Sequence, residues 1–220
     1  MKRHATIALF LAVGLTTLAY AETTSFFDLV EIGTPRQIQA AINQGIDINA
    51  RNQDGSTPLT YAAGSNQNPE VIAVLLKAGA NIAARDKRGV TALMWAAGYN
   101  KNPDVITTLL KAGADLFAHD KDDDTVLMYA AGTNRNPKVL SVLLNAGADV
   151  NASDANGMTA LMWAALSNPN PEVATTLLNA GADPRAKSRE GKMAINYAQT
   201  SANLKGTDAY RQLQGAAQLK

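Results

Sequence analysis

Apolar and polar positions alternate along this chain with one grammar, written again and again. In residues 86–119, Leu93, Ala96 and Ala97 fall at i, i+3, i+4 spacing and predict a short helix with a narrow face of mostly small residues. A polar break, Asn102-Pro103, follows. Asparagine caps a helix, and proline at its first position gives up an amide that has no partner there anyway. Val105, Ile106, Leu109 and Leu110 then predict a second helix with a broader apolar stripe, and Gly113 marks its left-handed stop. Ahead of the pair, Asp86 and Gly89 bracket a tight turn, and Thr91 is placed to cap the first helix. Each helix is about eight to ten residues long, under the roughly 12–15 that an isolated helix needs in water. Neither can bury its stripe alone, so each unit needs a neighbour.

The neighbours are in the sequence. Thr57, Thr91, Thr125 and Thr159 lie 34 residues apart, as do Gly45, Gly79, Gly113, Gly147 and Gly181, and Pro35, Pro69, Pro103, Pro137 and Pro171. "LMWAAGYNKNP" at 93–103 returns as "LMYAAGTNRNP" at 127–137 and "LMWAALSNPNP" at 161–171. A fixed period of this length predicts a solenoid whose units share one continuous core. The expected division is an N-terminal cap unit at 22–51, full units at 52–85, 86–119, 120–153 and 154–187, and a C-terminal cap unit at 188–220.

"DKRGVTALMWAAGYNKNPDVITTLLKAGADLFAH" resembles the ankyrin repeat, and "DGSTPLTYAA" at 54–63 and "LLNAGADVNASDANGMTAL" at 143–161 are close to it. The resemblance covers about 26–213 and implies an all-α repeat fold: helix-turn-helix units with short hairpin-like turns, capped at both ends. The chain departs from the family pattern in four ways. Its period is one residue longer, with the extra residue in the loop between helices. The family histidine, which ties neighbouring units by hydrogen bonds, is replaced by Thr60, Met94, Met128, Met162 and Asn196, so apolar methionine packing is the expected substitute. Asp123 stands at a tip where glycine belongs, a position of mild backbone strain. In the last unit Met193 replaces the capping threonine and Lys205 the helix-opening proline, as suits a cap with one face to water.

The first residues carry a different signal. A basic start, Lys2-Arg3, leads into "ATIALFLAVGLTTLA", too short a run for a comfortable membrane span, and Ala19-Tyr20-Ala21 has the small-x-small pattern of a cleavage site. The expectation is a signal peptide at 1–21, a mature chain from Glu22, and a periplasmic or secreted bacterial protein without stable membrane insertion. Charge is balanced, 20 basic against 19 acidic residues, so nothing advertises nucleic acid. The absence of cysteine excludes disulfides, thiolate metal sites and a cysteine nucleophile.

Candidate chemistry is thin. Tyr61, Trp95, Tyr129, Trp163 and Tyr197 recur once per unit and are expected to be core filler beside paired alanines rather than a ladder of stacking platforms. Asp120, Asp122 and Asp124 mimic the start of a calcium loop, but Thr125 and Ala131 stand where glycine and glutamate are needed, so a solvated tip is expected. His119 has no companion ligands nearby. No catalytic set, metal site or cofactor loop is expected. What the resemblance implies instead is a monomeric protein-binding scaffold gripping its partner with hairpin tips and the inner helix face. Carried over by repeat position, the partner-binding residues are Lys87, Arg88, Val90, Tyr99, Lys121, Asp122, Asp124, Thr133, Asn156, Met158 and Ser167. The partner is expected to be a protein. The alternatives are a neutraliser of a toxic effector enzyme, an accessory protein in oxidative-stress defence and, more remotely, a small-molecule binder or enzyme.

Overall fold

The computed structural model describes residues 25–218; the signal peptide expected at 1–21 lies outside them. The described chain is all-helical, an ordered stack of helix pairs. One layer holds α1 (Phe26–Ile32), α3 (Pro58–Ser65), α5 (Ala92–Tyr99), α7 (Val126–Thr133), α9 (Ala160–Ser167) and α11 (Ala194–Ala198). The other holds α2 (Pro35–Asn43), α4 (Pro69–Lys77), α6 (Pro103–Lys111), α8 (Pro137–Asn145), α10 (Pro171–Asn179) and α12 (Asp208–Gln218). From α3 to α9, the first-layer helices start 34 residues apart, and each packs on the next in its own layer and on its partner in the other.

The expected signals build these helices. Thr91 Oγ1 accepts the Met94 amide at 3.3 Å, and Asn102 Oδ1 accepts the Asp104 amide at 3.0 Å ahead of Pro103. Gly113 ends α6 at φ +89°, where its amide and that of Ala114 close on the Leu110 and Leu109 carbonyls. The core runs unbroken through the stack: Leu59, Leu93, Leu127 and Leu161 in one layer and Leu75, Leu109, Leu143 and Leu177 in the other are all fully or almost fully buried.

Methionine does replace the family histidine inside the core, with Met94 fully buried, but the polar tie between units is not lost. It has moved to the loop asparagines. Asn100 is completely buried, and its amide nitrogen donates to the Ala63 and Asn66 carbonyls of the preceding unit at 2.9 and 2.8 Å. Asn66, Asn134 and Asn168 repeat the pattern. Each also accepts, through Oδ1, the amide of the capping asparagine two residues on. The extra loop residue thus accompanies a hydrogen-bonded ladder, which matters because a buried carbonyl without a partner costs about 1–3 kcal/mol.

The tips are joined as well. The amides of Lys87, Lys121, Ala155 and Arg189 donate to the carbonyls of Asp54, Arg88, Asp122 and Asn156, each in the tip before. Asp123 adopts φ +63°, alone among the described non-glycine residues in the left-handed region.

Candidate protein-docking surface

The three central inner helices, α5, α7 and α9, each present one ring toward the hairpin tip of their own unit, and a buried tip aspartate holds the ring by its polar end. Trp95 Nε1 donates to Asp86 Oδ2 at 3.3 Å, Tyr129 Oη to Asp120 Oδ2 at 2.7 Å, and Trp163 Nε1 to Asp154 Oδ2 at 3.1 Å. The other oxygen of each aspartate takes two tip amides: those of Arg88 and Val90, of Asp122 and Asp124, and of Asn156 and Met158. These bonds compensate burial of the carboxylates and lock tip to ring. Burial and the neighbouring Asp120 carboxylate push the Tyr129 phenol well above its ordinary value.

The rings are therefore not simple core filler. Trp95, Tyr129 and Trp163 are half-buried, packed on the core by one side only, while Tyr61 is more exposed and meets Phe27 edge-on at 5.2 Å. Between α3 and α5, Tyr61 and Trp95 border a cleft of about 500 Å³, within the range of small-ligand pockets. Tyr61, Gly64, Trp95 and Tyr99 line its floor, and Lys87 and Arg88 its wall. The Arg88 guanidinium lies 5.4 Å from the Trp95 ring centre, and the Tyr99 ring 5.2 Å from it on the same helix face. Tyr99 is 51% exposed. An aromatic floor beside a stacked arginine is the composition that dominates energetic centres of protein interfaces.

A family model for ankyrin repeats, described as three copies, matches residues 26–120 and again 99–188. The chain belongs to the ankyrin-repeat family. Among solved structures, this ankyrin-repeat chain is similar to a chain in the structure titled "Bd0816 Predatory Endopeptidase from Bdellovibrio bacteriovorus in complex with immunity protein Bd3460". The two are 29% identical with a TM-score of 0.68, over 86% of this chain and 96% of that one. No curated protein sequence matches the chain.

Of the ankyrin positions expected to meet a partner, Lys87, Arg88 and Tyr99 converge on the cleft. Lys121, Asp122 and Asn156 are exposed on the two following tips. Val90 and Met158 are corrections: both side chains are buried, because the inward position of each tip packs under the turn rather than facing out. Thr133 and Ser167 are exposed, yet their hydroxyls bond to the Gly98 and Gly132 carbonyls of the preceding unit, so they tie units together. Asp124 corrects the expectation of a solvated tip. It is half-buried, its Oδ1 is enclosed without a partner, and its pKa is raised to about 7 by burial, then by Asp120, Asp154 and Asp122.

Tyr61 and Trp95 are the lining residues assigned to core on sequence. The available signal was Trp95 and Tyr99 at i, i+4, offset from the Leu93–Ala96–Ala97 stripe. His119 is exposed and pairs with Asp123 at 3.1 Å. Among the described residues no cluster of His, Cys, Asp or Glu could hold a metal ion, and no helix is long and apolar enough to cross a membrane.

Proposed function

We propose that the protein is a non-catalytic scaffold, exported by its N-terminal segment to the periplasm, that binds and neutralises an enzyme. The family makes a protein-interaction scaffold the coarse reading. The finer one is supported by the likeness, across nearly the full length of both chains, to a chain in a complex of an endopeptidase with an immunity protein. The single observation that carries docking to this chain's own surface is the cleft at Tyr61, Trp95 and Tyr99 with Lys87 and Arg88 beside it. Trp95 at its centre is held by its bond to buried Asp86, so this ring loses little freedom when a partner arrives.

The test is capture from periplasmic extract of the native host, comparing wild type with Tyr99→Ala and Arg88→Glu. The expected result is an enzyme held by wild type, released by both variants, and inhibited in proportion to added scaffold. Unchanged capture by both variants would remove the site from this face. A captured enzyme that keeps full activity would refute neutralisation while leaving the scaffold.

A further inference from the structure

We infer that the cleft between α3 and α5 takes an extended segment of the partner in which an acidic side chain lies beside an aromatic or long aliphatic one. This rests on the protein-binding reading above and adds the chemistry of the occupant.

The wall supplies the charge preference. Lys87 and Arg88 are both exposed, and two carboxylates are near enough to offset them. Asp86 is committed: Oδ1 accepts the Arg88 and Val90 amides, Oδ2 accepts the Trp95 indole, and its approach to the Arg88 guanidinium is 4.0 Å. The carboxylate of Asp54 is exposed on the neighbouring tip, leaving two outward cations to one outward anion. Arg88 stacks near the face of Trp95 while its side chain stays 60% exposed, so its donor fork is pre-oriented toward an incoming carboxylate. The next tip lacks this bias, since Lys121 is accompanied there by the exposed Asp122 and Asp123.

The floor supplies the apolar preference. Tyr61, Trp95 and Tyr99 offer ring surface to solvent, and the cleft stays open because position 64 is glycine. Three repeats on, the same helical position holds Leu166, 44% exposed. A side chain is therefore tolerated there by this scaffold. A Cβ on Gly64 would meet Trp95 atoms at 3.7 Å and beyond, ordinary contact, and no left-handed backbone stands in the way.

That equivalence provides the test. Full-length mature protein, labelled with ¹⁵N, is titrated with a blocked synthetic hexapeptide alternating glutamate and phenylalanine, and with the same peptide carrying lysine for glutamate. The acidic peptide is expected to shift the Trp95 indole resonance and the backbone of Tyr61–Ser65, and to bind about tenfold or more tightly than the lysine peptide. Gly64→Leu, which fills the floor, and Arg88→Glu, which inverts the wall, are each expected to abolish those shifts with the melting temperature unchanged. Equal binding of the two peptides, or shifts that survive both variants, would overturn the inference. So would benzoate binding as tightly as the peptide, which would mark a small-molecule pocket. If the native partner is still captured while the acidic peptide is ignored, the inference alone falls. If no partner is captured through this face, the docking reading falls with it.

Discussion

The tip at Asp86–Val90 and the tip at Asp120–Asp124 share one frame and carry opposite electrostatics. In both, a buried aspartate takes two tip amides on one oxygen and a ring donor on the other. Both donate an amide to the tip before. They differ at the positions the frame leaves free. The inward residue is Val90 in one, fully buried and apolar, and Asp124 in the other, with an enclosed oxygen that bonds to nothing. The left-handed residue is Gly89 in one and Asp123 in the other. The frame is thus held by local backbone bonds strong enough to tolerate a misfit carboxylate, and charge is what varies on top of it.

Substitutions can break or sharpen that contrast. The largest effects should be equal behind the two tips. Leu109→Ala and Leu143→Ala remove equivalent, fully buried side chains and should each destabilise by about 2–5 kcal/mol in denaturant unfolding; clearly unequal losses would deny a common frame. Asn100→Ala and Asn134→Ala each remove two buried donors to the preceding unit and should cost about 2–4 kcal/mol.

The next effect should separate the tips. The Asp124 pKa is raised in the fold to about 7, so the folded chain holds a proton that the unfolded chain releases. Stability from this group is unimpaired below about pH 4. It declines as pH rises toward 7 and stays reduced above. With allowance for solvent screening of a half-buried group, Asp124→Asn should stabilise the protein by about 1–2 kcal/mol at pH 8 and by little at pH 4. Melting temperatures across that range check it, and a variant no more stable at pH 8 would show the carboxylate to be well solvated. The smallest effect should come from Asp123→Gly, which relieves the left-handed backbone and restores the tip glycine. A gain of about 0.5 kcal/mol is expected, since the lost pair with His119 is exposed on both sides and worth little.

Helix starts and stops were legible because capping is local: Thr91, Asn102, Gly113 and even the left-handed Asp123 declare themselves within a few residues. Interactions spanning a whole period were not. Asn100 looked like loop spelling, since its acceptors at Ala63 and Asn66 lie 37 and 34 residues back and only stacking brings them close. Asp86 read as a turn residue, and its hold on the Trp95 indole depends on how the tip folds over α5. Val90 and Met158 looked exposed because turns are usually wet, whereas these turns lie on one another. The cleft needed both the absence of a side chain at Gly64 and the stacking of α5 beside α3, and a single unit shows only the first.

The asparagine ladder has a direction. Asn66, Asn100, Asn134 and Asn168 all reach toward earlier residues, so a unit leaving the ribosome finds these acceptors already in place upstream. These rungs can close one module at a time from the amino end, whereas the guanidinium groups of Arg51 and Arg85 donate forward, to the Arg85 and His119 carbonyls, and must wait for the module that follows.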